Sequence, residues 1–191
     1  MKQILINQII QKAKQSSIKP SNLLAFVEIE TGGKGFDSDT GKIIIQFEPS
    51  WMKKLAPYAP SGNWSLNKVD VQSKEWIAFN DAFSKNKDAA MQSTSIGLGQ
   101  IMGFHYKRLG FSTVGDFWNY SKESIDNQIE LIIRFIKIDI NLSKALISED
   151  WHKVASIYNG SQYKEMAKKW GREPYDISMQ KANEKYIKYN S

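Results

Sequence analysis

The sequence contains no cysteine. That excludes disulfides, thiol nucleophiles and cysteine-ligated zinc. Its two histidines, His105 and His152, leave little from which to build a metal site, so neither a metal nor a cofactor is expected. Arginine is scarce: Arg108, Arg134 and Arg172 are the only ones, and lysine carries almost all the positive charge. Proteins that read nucleic acid use arginine for bidentate contacts. Without arginine clusters or a reader motif, nucleic acid is not an expected partner. No stretch approaches the ~20 apolar residues of a membrane span. Lys2 ahead of Ile4, Leu5 and Ile6 imitates a signal peptide, but Asn7 and Gln8 break the run and no small-residue cleavage site follows. The expectation is a product made in the cytoplasm without a signal peptide. There is no internal repeat and no low-complexity tract.

What is present is enough for a folded domain. The 191 residues are 41% hydrophobic and 12% aromatic, which suits a single domain spanning 1–191. The formal net charge of +6 has two readings. It serves solubility alone, or it attracts a diffuse polyanion. A monomer is expected.

Periodicity predicts a mainly helical fold with one small β-hairpin or sheet. Residues 2–15, within an N-terminal segment 1–19, read as a helix with Ile6, Ile9, Ile10 and Ala13 on one face. Pro20, Ser21 and Asn22 are helix-start residues, and Leu23 to Glu30 is apolar enough to be buried. Phe36 to Gly41 is turn-rich, and Ile43 to Phe47 is the best strand candidate. Residues 52–72, with Pro57, Pro60 and Gly62, read as a long loop. Trp76, Phe79 and Phe83 mark a helix, and the isoleucines from Ile125 to Ile140 mark the clearest long one, over 122–141. Asp150 reads as the N-cap of Trp151 to Tyr158, and 175–189 as a terminal helix. That last helix, with Lys181, Lys185 and Lys188, is expected to pack rather than to touch a membrane.

Three segments carry chemistry. In Phe26 to Phe36, Glu30 shares a helical stripe with Leu23, Phe26 and Val27 and sits at the helix C-terminus. Apolar burial and the negative end of the helix dipole both disfavour its ionised form. A carboxyl so placed keeps its proton near neutral pH and serves as a general acid, unless it is simply a helix-end residue reaching water. In Ser93 to Gly103, Gly97 and Gly99 would let backbone amides approach a ligand, and Gln100 offers both donor and acceptor. The hydroxyls of Thr94 and Ser95 could support a carboxylate there; the plainer reading is a packed turn between helices. In Ala155 to Gly160, Tyr158 and Asn159 either line a cleft or cap a helix.

Taken in order, these segments resemble a known family. Glu30 to Phe36, Phe47-Glu48, Thr94 to Gly103, Gly110-Phe111, Asp150-Trp151 and Tyr158 to Gly160 are similar to the N-acetylmuramidase domain of phage endolysins. That family belongs to the lysozyme superfamily and is related in motif order to lytic transglycosylases. The resemblance spans roughly residues 20–189. Two positions depart from it. The family's histidine after Phe-Glu is absent, since Pro49 and Ser50 follow Glu48, and its tryptophan in Ser-Trp-Gly is Ile96 here.

The resemblance implies a lysozyme-like fold acting on bacterial peptidoglycan, with Glu30 protonating the glycosidic oxygen between N-acetylmuramic acid and N-acetylglucosamine. It implies delivery to the wall through a holin or a secretion machine. Glycoside hydrolysis commonly uses a second carboxylate. Glu48, on the strand face shared with Ile44 and Gln46, is the first candidate and is equally readable as structural; Asp37 and Asp39 stand behind it and read more readily as caps of turn amides. Gln100, Tyr158, Asn159, Thr94, Ser95 and Gly97 are the candidate substrate contacts. The histidines read as helix-surface residues. The tryptophans read as core, except Trp51 and Trp64, placed by the long loop where a sugar could stack. Transglycosylation, or wall binding without catalysis, are the alternative readings.

Overall fold

The structure is a computed structural model that describes residues 1–68 and 71–190. Along the chain run α1 (Gln3–Gln15), α2 (Pro20–Thr31), β1 (Ile45–Phe47), α3 (Pro49–Leu55), α4 (Gln72–Lys85), α5 (Lys87–Gln92), β2 (Thr94–Ile96), β3 (Ile101–Met102), α6 (Val114–Glu123), α7 (Ile125–Ile138), α8 (Ile140–Ile147), α9 (Trp151–Asn159), α10 (Tyr163–Lys169) and α11 (Tyr175–Tyr186). They form two compact units, one of residues 1–33 with 132–191 and one of residues 34–131. The expected mainly helical chain with a small sheet is what is found.

The first unit is built around α2. Every residue of α2 from Pro20 to Val27 is buried, so this helix is core on all sides. α1 packs on it through Leu5, Ile6, Ile9 and Ala13, and α11 packs on it along its length. Polar side chains fix the α2–α11 register. Asn183 donates to Ser21 Oγ (2.8 Å) and to Asn22 Oδ1 (2.6 Å), and Asn22 donates in turn to the Leu146 carbonyl (2.7 Å). Asn190 takes up the Ser21 backbone amide at 2.9 Å. Buried amides of this kind are costly unless matched, so they select one alignment of the two helices.

The second unit holds an antiparallel sheet in the order β1-β2-β3, pairing Gln46 with Ser95 and Ser95 with Met102. Side chains of α4 satisfy part of the other edge of β1. Gln72 exchanges both hydrogen bonds with the Ile45 backbone (2.9 and 2.8 Å), and the buried Glu75 accepts from the Phe47 amide (2.8 Å). An edge closed this way offers a foreign strand little to pair with. The turn between β2 and β3 is held by Gln128, which is almost fully buried. Its Oε1 accepts from the Leu98 amide (2.8 Å) and its Nε2 donates to the Ser121 carbonyl (3.0 Å). Gly97 is required here: its φ is +68°, and a Cβ would lie 2.8 Å from Gln128 Oε1.

Several sequence expectations are corrected. Segment 52–72 is not a loop: α3 covers its start, a 3-10 turn spans Asn63–Leu66 and α4 begins at Gln72, while residues 69 and 70 lie outside the described residues. Trp64, expected by that loop, is core, with its indole N–H on the Pro60 carbonyl (2.9 Å). Trp170, expected in the core, is 56% exposed. The helix over 122–141 ends at Ile138. Asp139 caps a new helix by accepting from the Leu142 amide, and Ile140 turns outward. The glycine segment after Ile96 joins two strands, not two helices. Among the described residues no helix is long and apolar enough to cross a membrane.

The buried glutamine gives a direct test. Gln128→Ala leaves the Leu98 amide and the Ser121 carbonyl unmatched, at about 1–3 kcal/mol each. Chemical denaturation is expected to show the variant destabilised by about 2–6 kcal/mol.

Candidate active site

Glu30 lies in the last turn of α2, which Gly32 closes in a left-handed conformation. The side chain is half-buried, and its Oε1 accepts a hydrogen bond from the Tyr175 hydroxyl at 2.5 Å. The α2–α11 register delivers that contact. Asn22 meets Asn183 and Glu30 meets Tyr175, with the same number of positions between the partners on each helix. Burial raises the Glu30 pKa to about 7, although the Tyr175 hydrogen bond works the other way by favouring the carboxylate.

Aromatic rings pack together near the carboxyl, with Tyr158 at their centre. Tyr158 meets Phe26 edge-on at 4.7 Å and Phe135 at 5.7 Å, and stacks on Tyr175 at 6.3 Å. Asn159 hydrogen-bonds Tyr175, so Glu30, Tyr175 and Asn159 form a chain. Both tyrosines are pushed well above the usual phenol pKa, by burial and then by the Glu30 charge, and stay protonated as donors. The structure thus brings together three of the predicted residues: Glu30, Tyr158 and Asn159.

The other predicted residues lie in the second unit. Gln46, Glu48, Ser95 and Gln100 share one face of the sheet: Gln46 donates to Glu48 Oε1 (2.7 Å), and Ser95 donates to Gln100 Oε1 (2.9 Å). Gln100 Nε2 donates to the Gly97 carbonyl (2.9 Å), so both ends of this amide brace their own turn. The Gly97 amide donates to the Ile44 carbonyl and the Leu98 amide to Gln128, so neither faces a ligand. Thr94 has no exposed surface, and its hydroxyl donates to the Ala90 carbonyl (2.8 Å). It is a packing residue, and neither it nor Ser95 supports a carboxylate. Ile96 is likewise core.

Asp37 Oδ1 accepts from the Asp39 amide and from the amide and hydroxyl of Thr40, which holds its pKa below the usual carboxylate range. That is turn capping. His105 is not a free surface residue: burial, aided by Arg108, lowers its pKa to about 4. His152 hydrogen-bonds Tyr163 at 2.7 Å. Trp51 packs on Phe104 at 4.3 Å, with Lys54 over its ring. Among the described residues no cluster of three or more histidine or acidic side chains could hold a metal.

Sequence reasoning missed Tyr175, seen only as the start of the last helix. The available signal was the rule that a buried tyrosine hydroxyl needs a partner.

The fold, helical with one small antiparallel sheet and a protonatable glutamate at a helix end, is of the lysozyme-like class. The chain belongs to the N-acetylmuramidase family, whose model matches residues 19–187. No curated protein matches it. Among solved structures, the crystal structure of the Burkholderia AP3 phage endolysin is similar, with a TM-score of 0.79 and 28% identity over 97% of this chain and 71% of that one. Family and neighbour together make the coarse function that of a peptidoglycan-degrading muramidase.

Two titrations follow. Tyr175→Phe removes the bond that favours the carboxylate, so NMR of carboxyl-labelled glutamate is expected to show the Glu30 midpoint move above about 7. The folded midpoint also lies above the unfolded value of 4.5, so the folded state holds this proton more tightly. That contribution is full below the unfolded pKa and is lost as pH rises through the folded one. Glu30→Gln keeps a neutral side chain at every pH and escapes that loss, so the stability of the variant relative to wild type is expected to rise from near zero at about pH 4 to about 3 kcal/mol at about pH 8.

Proposed function

We propose that Glu30 is the general acid of a muramidase that cleaves between N-acetylmuramic acid and N-acetylglucosamine. The observation that carries this is its pKa of about 7, raised by burial. A general acid works best when its pKa lies near the operating pH, because it is then both present as the acid and ready to transfer the proton. Protonation of the glycosidic oxygen makes the departing sugar a neutral alcohol as the C–O bond breaks. Tyr175 positions the carboxyl from the α11 side and takes part of the charge left behind when the proton departs. Asn159, exposed at the end of α9, is available to the N-acetyl group of a sugar, with Tyr158 beneath it as packing support.

Glu48 is the candidate second carboxylate. Among the described residues only its Oε1 is engaged, by Gln46, whereas Asp37 is occupied with its turn. Gln100 and Ser95 then act by shaping that sheet face rather than by direct contact.

Lytic transglycosylation is the second reading, favoured by one observation within the unit that holds Glu30. Its neighbouring carboxylates are tied to lysines: Glu28 to Lys185, Glu173 to Lys181 and Asp176 to Lys164. A single carboxyl suffices if the muramyl 6-hydroxyl attacks in place of water: Glu30 gives its proton to the leaving oxygen and, as the carboxylate, takes the proton of the attacking hydroxyl. The wall as target accords with the positive charge, since its polymers are anionic. Release through a holin or a secretion machine, and a monomeric state, belong to the same proposal.

Glu30→Gln is expected to reduce release of soluble glycan from purified sacculi at least ~100-fold. Full activity in that variant overturns the assignment. Mass spectrometry of wild-type fragments separates the two reactions: reducing muramic ends mean hydrolysis, and products lighter by one water mean transglycosylation. Binding to sacculi without release would instead support a wall-binding domain.

A further inference from the structure

Beside the Glu30 chain the first unit carries a groove of about 370 Å³. Asn159 and Tyr175, the two residues linked to Glu30, form part of its lining. Met166, Trp170 and Arg172 line it as well, from α10 and the connection to α11. Its chemistry differs from that of the acid site. Trp170 is 56% exposed and Met166 39%, so an apolar platform faces solvent without a partner. Beside it the Arg172 guanidinium lies 5.6 Å from the Trp170 ring and has no carboxylate partner among the described residues. Glu173, also in the lining, does not neutralise it: Lys181 and Ser178 already hold that carboxylate, and its pKa is lowered accordingly.

The backbone beneath the platform is closed by hydrogen bonds. Gly171 takes a left-handed conformation (φ +61°), its amide bonds the Lys168 carbonyl (3.2 Å), and the Arg172 amide bonds the Ala167 carbonyl (2.9 Å). This closure of a helix end fixes Trp170 and Arg172 on either side of the glycine.

An unpaired guanidinium with a planar fork selects a carboxylate, and an exposed indole beside it selects aliphatic or flat surface. In peptide-bearing glycan the lactyl carboxyl of muramic acid is tied up as an amide, so the sugar chain itself offers no free carboxylate. The short peptide carried on the lactyl group of muramic acid does, along with methyl and methylene groups. We infer that this groove is a subsite for the peptide stem of the substrate, with Arg172 binding a stem carboxylate and Trp170 packing on its aliphatic part. The inference rests on the muramidase reading for its choice of ligand. It explains why the groove abuts the acid: the muramic sugar whose bond is broken is also the one that bears the peptide.

The synthetic stem peptide L-Ala-γ-D-Glu-meso-diaminopimelate-D-Ala, titrated against the full chain and followed by indole fluorescence and amide NMR shifts, tests the groove directly. Saturable binding with shifts at Trp170 and Arg172 is expected. Arg172→Ala and Trp170→Ala should each weaken it about tenfold, as loss of a charge-assisted contact does. Both residues are exposed, so circular dichroism should show the fold retained. In turnover, wild type is expected to favour peptide-bearing glycan over glycan stripped by an amidase and capped as the methylamide at the lactyl carboxyl so freed, and Arg172→Ala to narrow that preference about tenfold through KM rather than kcat. No peptide binding by wild type, or binding indifferent to both substitutions, overturns the inference. If wild type cleaves neither glycan, the muramidase reading falls, while the peptide titration still decides the groove.

Discussion

The register between α2 and α11 is the constraint on which the acid site depends. Neither helix carries enough charge patterning to choose an alignment alone, and apolar packing tolerates sliding by a turn. The buried amides do not. Asn183 can satisfy Ser21 and Asn22 together in only one alignment, and that alignment carries the Tyr175 hydroxyl to Glu30. A slip of one helical turn, about 5.4 Å, would orphan several buried polar groups at once. The network far from the carboxyl therefore sets the geometry at the carboxyl. Glu28 reinforces it from a second face through Lys185 and Tyr186.

The same contact limits how far the pKa of Glu30 can climb. Burial pushes the carboxyl toward its neutral form, and the Tyr175 hydroxyl pulls back toward the anion. A more thoroughly buried acid without such a donor would hold its proton too tightly to give it up near neutral pH. An exposed one would have lost it already. A midpoint of about 7 leaves roughly half the molecules in the acid form at neutrality. The phenol that holds the carboxyl in place would, in the proposed role, also stabilise the charge left by proton transfer.

Much of this was legible in local sequence. The apolar stripe ending at Glu30, the β-branched run of β1 and the Asp150 cap each depend on neighbours within a turn or a strand, and each was read correctly. What escaped depends on distance along the chain. Tyr175 meets a residue 145 positions earlier, and no periodicity announces it. Gln128 carries no signal among the isoleucines of its helix, yet it staples a turn thirty residues away. Asp139 interrupted an isoleucine pattern that continues across it, because an N-cap can start a new helix without disturbing the spacing. The tryptophans were misplaced for a related reason. Trp64 is buried in a segment whose prolines and glycine suggested solvent, while Trp170 follows a helical pattern but falls at its exposed end.

That Gln100, Gly97 and Ser95 brace their own turn changes what the Gly-Leu-Gly-Gln motif means. Residue types suited to binding a sugar are also those suited to closing a tight β-turn over a buried glutamine, and here their donors and acceptors are engaged internally. The motif therefore acts at one remove. It holds rigid the sheet face that carries Gln46 and Glu48, and it would position a carboxylate there without touching substrate itself. A site residue inferred from sequence is thus best judged by whether its polar atoms remain unmatched once the fold has used what it needs. By that measure Asn159 and Glu48 are better placed to meet a ligand than Thr94 or Gly97.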